Sequence, residues 1–396
     1  MEMGAKTAIA VTIAAVLMFI AGLQIVLASG RTVSEAVFRF SVAGDFGSWT
    51  GFEDSLGQLS TTGSDFAIAL GDLSYGGESE SDWCREFKRS FDNVVLVAGN
   101  HDVGLPQDIG GSINEFIKYC PFPLNVPLVG VYGKQYYFDY PRDQPLMRFI
   151  LISPDLQFVV DDGEHYDYSA GSPRYNWTRD AIDGARQAGI PWVIVAGHEN
   201  CIAAGEHPCE IGTDIMNLLL DRKVDLILQG HTHHYERSKQ LSLRPGSCAG
   251  IKLDTFVPGC IAYDGRDGRY VQGQGSVLVI AGIGGRDIDP FNTSDPDAGY
   301  IAAWQRGGSP TVGKGVVSLD VGLDRISSQT HVTGNFTDAF TIESSRHPSP
   351  LQGFVEILGL TGCVAVGTAV VFVRRIGSGR AAFDRAEPAS RDRRRR

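Results

Sequence analysis

Positive charge is scarce in the body of this chain. The 396 residues carry a net −11, but nine arginines against three acids after Val373 make the tail +6, which leaves −17 for the rest. Nucleic acid is held by a positive field, so it is excluded as a partner. An anionic substrate has to be drawn in by cations gathered locally, not by net charge. Charge of either sign is missing from residues 7–29 and 357–373, runs of 23 and 17 residues. Both are too apolar for an ordinary soluble surface, and each can cross a bilayer, which takes about 20 residues with a lower limit near 17. No internal repeat is visible, so a solenoid is excluded. What is there is ordinary for a globular protein: 43% hydrophobic residues and 48 glycines, enough for many tight loops.

Residues 1–29 read either as a signal peptide or as an N-terminal transmembrane anchor. Lys6 supplies a positive start and Val26-Leu27-Ala28 a small-residue cleavage site. Residues 352–373 read as a C-terminal transmembrane helix, and 374–396 as a basic tail. Basic residues stay on the cytoplasmic side, so the tail is expected inside and the region between the two segments outside, tethered to the membrane. Six cysteines fall in that outer region, and Cys363 falls in the second span. An even number in an oxidising compartment gives up to three disulfides, and six allow 15 pairings. Nearness in sequence favours Cys201–Cys209 and Cys248–Cys260. Sequons at Asn176, Asn292 and Asn335 also lie outside.

The outer region alternates short apolar runs with helical stretches. Candidate strands are Phe38–Ala43, Phe66–Leu70, 94–98, 148–152, Trp192–Ala196, 226–228 and Val277–Ala281. Most are continuous apolar runs with β-branched residues, the mark of strands buried on both faces. Helices are predicted over 176–188 and Thr213–Asp221. Alternation of this kind implies an α/β layered fold, in one domain over residues 36–340. Residues 238–275, rich in glycine, read as a long loop or small insertion.

Polar clusters follow five of these strands directly: Gly44-Asp45-Phe46-Gly47, Gly71-Asp72-Leu73-Ser74-Tyr75, Gly99-Asn100-His101-Asp102, Gly197-His198-Glu199 and Gly230-His231-Thr232-His233. In each, a glycine precedes the polar residue where the chain must turn and approach a ligand closely. Ligands of open α/β sheets bind beyond the carboxyl ends of the strands. One Gly-Asp after a strand is ordinarily a capped turn; five such clusters in order bring carboxylates, an amide, a phenol and imidazoles to one edge. Carboxylate and phenolate oxygens suit a hard ion such as Fe(III), and imidazoles with an amide oxygen suit a divalent ion such as Fe, Zn or Mn. A carboxylate can bridge two such ions about 3.5–4 Å apart. The clusters contain no cysteine, which excludes a zinc–thiolate site there.

The order GDFG, GDLSY, GNHD, VAGH, GHTH resembles the five motifs of purple acid phosphatases, within the calcineurin-like metallophosphoesterases, over roughly residues 38–334. The resemblance implies an α/β/β/α sandwich and a two-metal phosphatase acting on phosphate monoesters, with hydroxide held by the metals attacking phosphorus. It implies that Asp45, Tyr75 and His233 hold Fe(III), that Asp72 bridges, and that Asn100, His198 and His231 hold the divalent ion. By the same resemblance His101 contacts the substrate phosphate beside Asn100. Glu206 and His207 look like the Glu-His pair of the mammalian-type enzymes, with His207 binding phosphate or protonating the leaving group and Glu206 orienting it. His234–Ser238 resembles the plant-type enzymes instead. Glu199-Asn200-Cys201 departs from the usual aromatic-Pro sequence and alters the pocket wall. Two other readings share the site or the fold: a phosphodiesterase or nucleotide pyrophosphatase, and a non-catalytic cell-surface binding protein. His165 and His234 receive no role.

Overall fold

The computed structural model describes residues 37–47, 50–106, 109–159, 163–205, 207–305 and 313–345. The expected terminal spans, the basic tail and Glu206 lie outside the described residues. Among those described, no helix is long and apolar enough to cross a membrane.

Two sheets make the body. The first has seven strands, in the order Arg269–Val271, Ala339–Glu343, Arg325–Val332, Gly315–Val321, Phe38–Ala43, Phe66–Leu70 and Val94–Val97. The second has eight: Ile301–Trp304, Tyr235–Ser238, Val277–Ala281, Leu226–Gln229, Trp192–Ala196, Met147–Leu151, Gln135–Tyr140 and Leu128–Val131. The last three strands of the first sheet run parallel, as do four in the middle of the second. Their registers end level, with Ala43 opposite Ala69, Leu70 opposite Val97 and Ala196 opposite Leu228. The continuous apolar runs are buried throughout, as their composition requires.

Strand alternation decides which face looks inward. Phe40 and Phe66 of the first sheet meet Phe149 of the second at ring distances of 5.0 and 5.4 Å, so the aromatic faces form the core between the sheets. The alternate residues face helices. Arg39 and Ser41 reach Thr62 at the end of helix Thr50–Thr61. Arg148 pairs with Asp139 and donates to Ala181 O, 3.0 Å away, on helix Pro173–Gln187. Helices thus cover the outer faces, giving the expected layered α/β sandwich.

Helix Thr213–Asp221 forms where its pattern predicts. The helix predicted over 176–188 starts three residues earlier, because Ser172 caps the Tyr175 amide and Pro173 occupies the first turn. The C-terminal strands went unanticipated. Arg325–Val332 (RISSQTHV) buries every second residue but fills the pattern with Ser, Gln and Thr, so it reads as polar. The stretch 238–275 is an insertion with short strands, one of which adds Arg269–Val271 to the first sheet beside Ala339–Glu343. Three disulfides form: Cys201–Cys209, Cys248–Cys260 and the long-range Cys84–Cys120.

Candidate metal centre

All five polar clusters sit at the carboxyl edges of the parallel strands, where the two sheets meet. The seam is hydrogen-bonded across: Gly44 N–H donates to Ala281 O at 2.9 Å, His198 Nδ1 stands 2.7 Å from Leu70 O, and His231 N–H donates to Asp45 Oδ2 at 2.9 Å. The backbone is strained here. Among the described residues seven non-glycines have positive φ, and four of them are Asp45 (63°), Asp72 (52°), Tyr75 (49°) and His231 (68°). Such conformations persist only where surrounding structure enforces them. The glycines allow the crowding: a Cβ on Gly99 would lie 2.2 Å from Asp72 Oδ1.

The seven predicted ligand side chains converge in two groups. In one, Tyr75 Oη donates to Asp45 Oδ1 at 2.9 Å and stands 3.1 Å from His233 Nε2, while His233 Nε2 is 3.5 Å from Asp45 Oδ1. In the other, His198 Nε2 lies 3.1 Å from Asn100 Oδ1, 3.1 Å from His231 Nδ1 and 3.3 Å from Asp72 Oδ1. Asp45 Oδ1 and His198 Nε2 are 3.9 Å apart across the two groups. Asp72 faces both, with its carboxylate also set against the Tyr75 hydroxyl. The Leu70 carbonyl takes the His198 Nδ1 proton and so turns Nε2 towards Asn100 and Asp72.

The electrostatics fit a cation. Asp45 and Asp72 are 0% and 2% exposed, with no Lys or Arg paired to either among the described residues. Buried carboxylates need such compensation. Without it, burial pushes the Asp45 carboxyl up to about 7, with His198 opposing and Asp72 adding to the rise. Burial likewise drives the Tyr75 phenol well above its ordinary range, helped by Asp45 and Asp72. Burial and then Arg286 depress His233 to about 3, and burial depresses His231, so both stay neutral and able to ligate. The residues present therefore suit two metal ions.

Around these seven lie groups that motif reasoning named and groups it missed. The His101 ring is 4.6 Å from the Tyr75 ring, with Nδ1 2.7 Å from Ile109 O. The His207 ring is 3.8 Å from the His231 ring, inside the loop that the Cys201–Cys209 bridge closes. Its carboxylate neighbour among the described residues is Glu210, not named from sequence. Glu210 stands 3.5 Å from His207 Nδ1 and 2.5 Å from His231 Nε2, so it orients both rings. Asp102 was missed as well: it accepts the amides of Asp72 (2.7 Å), Gly99 (2.9 Å) and Leu73 (3.1 Å), tying the second and third clusters together. Asp289 Oδ2 lies 3.5 Å from His233 Nδ1 and plays the orienting part there. Asp102 was legible as the end of GNHD; Glu210 and Asp289 carry no local signal. His234, fully buried against Glu236 at 2.6 Å, is structural, and His165 pairs with Asp155 at the surface. Glu199 is buried, and Asn200 ties Thr232 to Gly230, so the departure from the aromatic-Pro sequence forms a polar wall.

Comparison with known proteins places this geometry. The calcineurin-like phosphoesterase family matches residues 38–235, half of the chain, and the chain belongs to that family. It is 23% identical over 221 residues to the Fe(3+)-Zn(2+) purple acid phosphatase 12 of Arabidopsis thaliana, covering 52% of this chain and 44% of that one. It is 27% identical over 234 residues to an uncharacterized Mycobacterium tuberculosis protein, covering 56% and 42%. The chain thus spans less than half the length of these curated relatives. A purple acid phosphatase from yellow lupin (Lupinus luteus) seeds shares the fold, with a TM-score of 0.56 at 18% identity over 80% of this chain and 55% of that one. Within its family the chain is similar to purple acid phosphatases in sequence and in fold.

Proposed function

We propose that this enzyme hydrolyses phosphate monoesters at a binuclear centre, Fe(III) with a divalent Fe, Zn or Mn ion. The observation that carries this reading is the pair of donor groups 3.9 Å apart with Asp72 facing both. Asp45, Tyr75 and His233 would hold the first ion and Asn100, His198 and His231 the second, with Asp72 available to both. When bound, the ions supply positive charge for the phosphate oxygens and acidify coordinated water. The chain's own groups do the rest. Asn100 and His101 contact the phosphate from the third loop. His207, held by Glu210, gives its proton to the leaving alkoxide. The buried setting of Asp45 and Asp72 fixes these dipoles in advance of the reaction.

Three disulfides also support an extracytoplasmic catalytic domain, tethered by the terminal apolar segments. The test of the whole reading is metal analysis with a visible spectrum, followed by parallel turnover of p-nitrophenyl phosphate and bis(p-nitrophenyl) phosphate. Two metals per chain, a visible band lost in Tyr75→Phe and faster monoester turnover are expected. Preference for the bis ester means a phosphodiesterase. Well under two metals with no turnover means a binding protein on this fold.

A further inference from the structure

A sixth loop reaches the same centre. Strand Val277–Ala281 runs out into Gly282-Ile283-Gly284-Gly285-Arg286, and this loop is fastened to the one carrying Asp45. Gly284 N–H donates to Gly44 O at 2.8 Å and Arg286 N–H donates to Asp45 O at 2.9 Å. The approach is so close that a Cβ on Gly285 would lie 1.9 Å from Phe46 O. From this mount the Arg286 guanidinium carbon sits 4.5 Å from the centre of the Tyr75 ring. His101 rests on the same ring. Arg286 and His101 therefore both border the phenol whose oxygen touches Asp45 and His233.

In a body of net −17, an incoming phosphate needs cations fixed at the point of reaction. We propose that Arg286 binds the non-reacting oxygens of the substrate phosphate from the Tyr75 side and selects doubly charged monoesters over singly charged diesters. This rests on the phosphoesterase reading above. A guanidinium offers a planar fork matched to two phosphate oxygens, and a dianion gains more from it than a monoanion. The backbone clamp on Asp45 fixes the loop and the Tyr75 ring supports the guanidinium before substrate arrives, which lowers the ordering cost of binding.

The experiment uses the full, metal-loaded chain with Arg286→Met, which keeps an apolar stem on the Tyr75 ring, and Arg286→Lys. Inorganic phosphate is titrated calorimetrically, and kcat/KM is measured for p-nitrophenyl phosphate and its bis ester. Arg286→Met is expected to weaken phosphate and lower monoester kcat/KM about 10- to 100-fold, while the diester loses no more than about threefold and two metals remain. Arg286→Lys recovers part of the loss. Phosphate affinity within about twofold of wild type, equal losses on both esters, or loss of metal from Arg286→Met would each overturn the assignment. Should the wild-type chain turn over neither ester, the phosphoesterase reading fails, and the phosphate titration still decides whether Arg286 holds the anion.

Discussion

Asp102 touches no predicted ligand side chain, yet the site should depend on it. Its fully buried carboxylate accepts three backbone N–H groups, at 2.7 Å from Asp72, 2.9 Å from Gly99 and 3.1 Å from Leu73. Asp72 and Leu73 belong to the second cluster, and Gly99 to the third. Asp102→Ala leaves three buried donors without an acceptor, each costing about 1–3 kcal/mol. Because the three share one anchor their losses do not simply add, and a total of about 3–6 kcal/mol is expected. That is a large part of the roughly 5–15 kcal/mol that holds a domain folded. Asp102→Asn should fall between, near 2–4 kcal/mol, since one amide oxygen replaces two carboxylate oxygens and its NH2 faces donors. The strained positive-φ backbone at Asp72 is then released, so metal should be lost before the fold is. Urea unfolding of the disulfide-intact domain gives the stability, and metal content after dialysis gives the second quantity. If Asp102→Ala unfolded within about 1 kcal/mol of wild type and kept two metals, the view of this carboxylate as a clamp would be wrong.

Glu210→Gln should lower kcat by about 10–100-fold with alkyl phosphates and by much less with p-nitrophenyl phosphate, whose leaving group needs no proton; equal losses on both would deny Glu210 its part in orienting His207. Gly285→Ala should cost more than about 3 kcal/mol and displace Asp45, because its Cβ would lie 1.9 Å from Phe46 O; an unchanged thermal midpoint would contradict the close approach. Burial, with Asp295 beside it, pushes the Asp297 carboxyl up to about 7 from 3.8. The folded state then binds the proton more tightly than the unfolded chain, so stability is full below about pH 4 and declines as pH rises towards 7. Asp297→Asn should remove that decline, and urea midpoints at pH 5 and 7.5 that move in parallel in both proteins would refute it.

Much of the centre could be read from order along the chain. Each cluster pairs a strand's end with a glycine and a polar side chain, and both signals are local, so GDFG, GDLSY, GNHD, VAGH and GHTH are legible in the sequence. Local period also gave Thr213–Asp221, and nearness gave two of the three disulfides. The signal failed where it was diluted. The polar alternation of Arg325–Val332 hid a strand, although its buried positions follow the period of two.

The sequence by itself determined the types of candidate ligand, their attachment to strand ends and the number of disulfides that six cysteines can make. Tertiary structure alone decided that the two sheets pack face to face with the carboxyl ends of their parallel strands together, so that Asp45 and His198, more than 150 positions apart, stand 3.9 Å from each other. It also decided the partners that carry no motif: Glu210 on His207 and His231, Asp289 on His233, Arg286 on Tyr75, and Cys84 on Cys120. The reason is physical. Turn chemistry and burial period act over a few residues and leave a trace in the sequence, whereas a contact between distant segments depends on how whole sheets pack and leaves none.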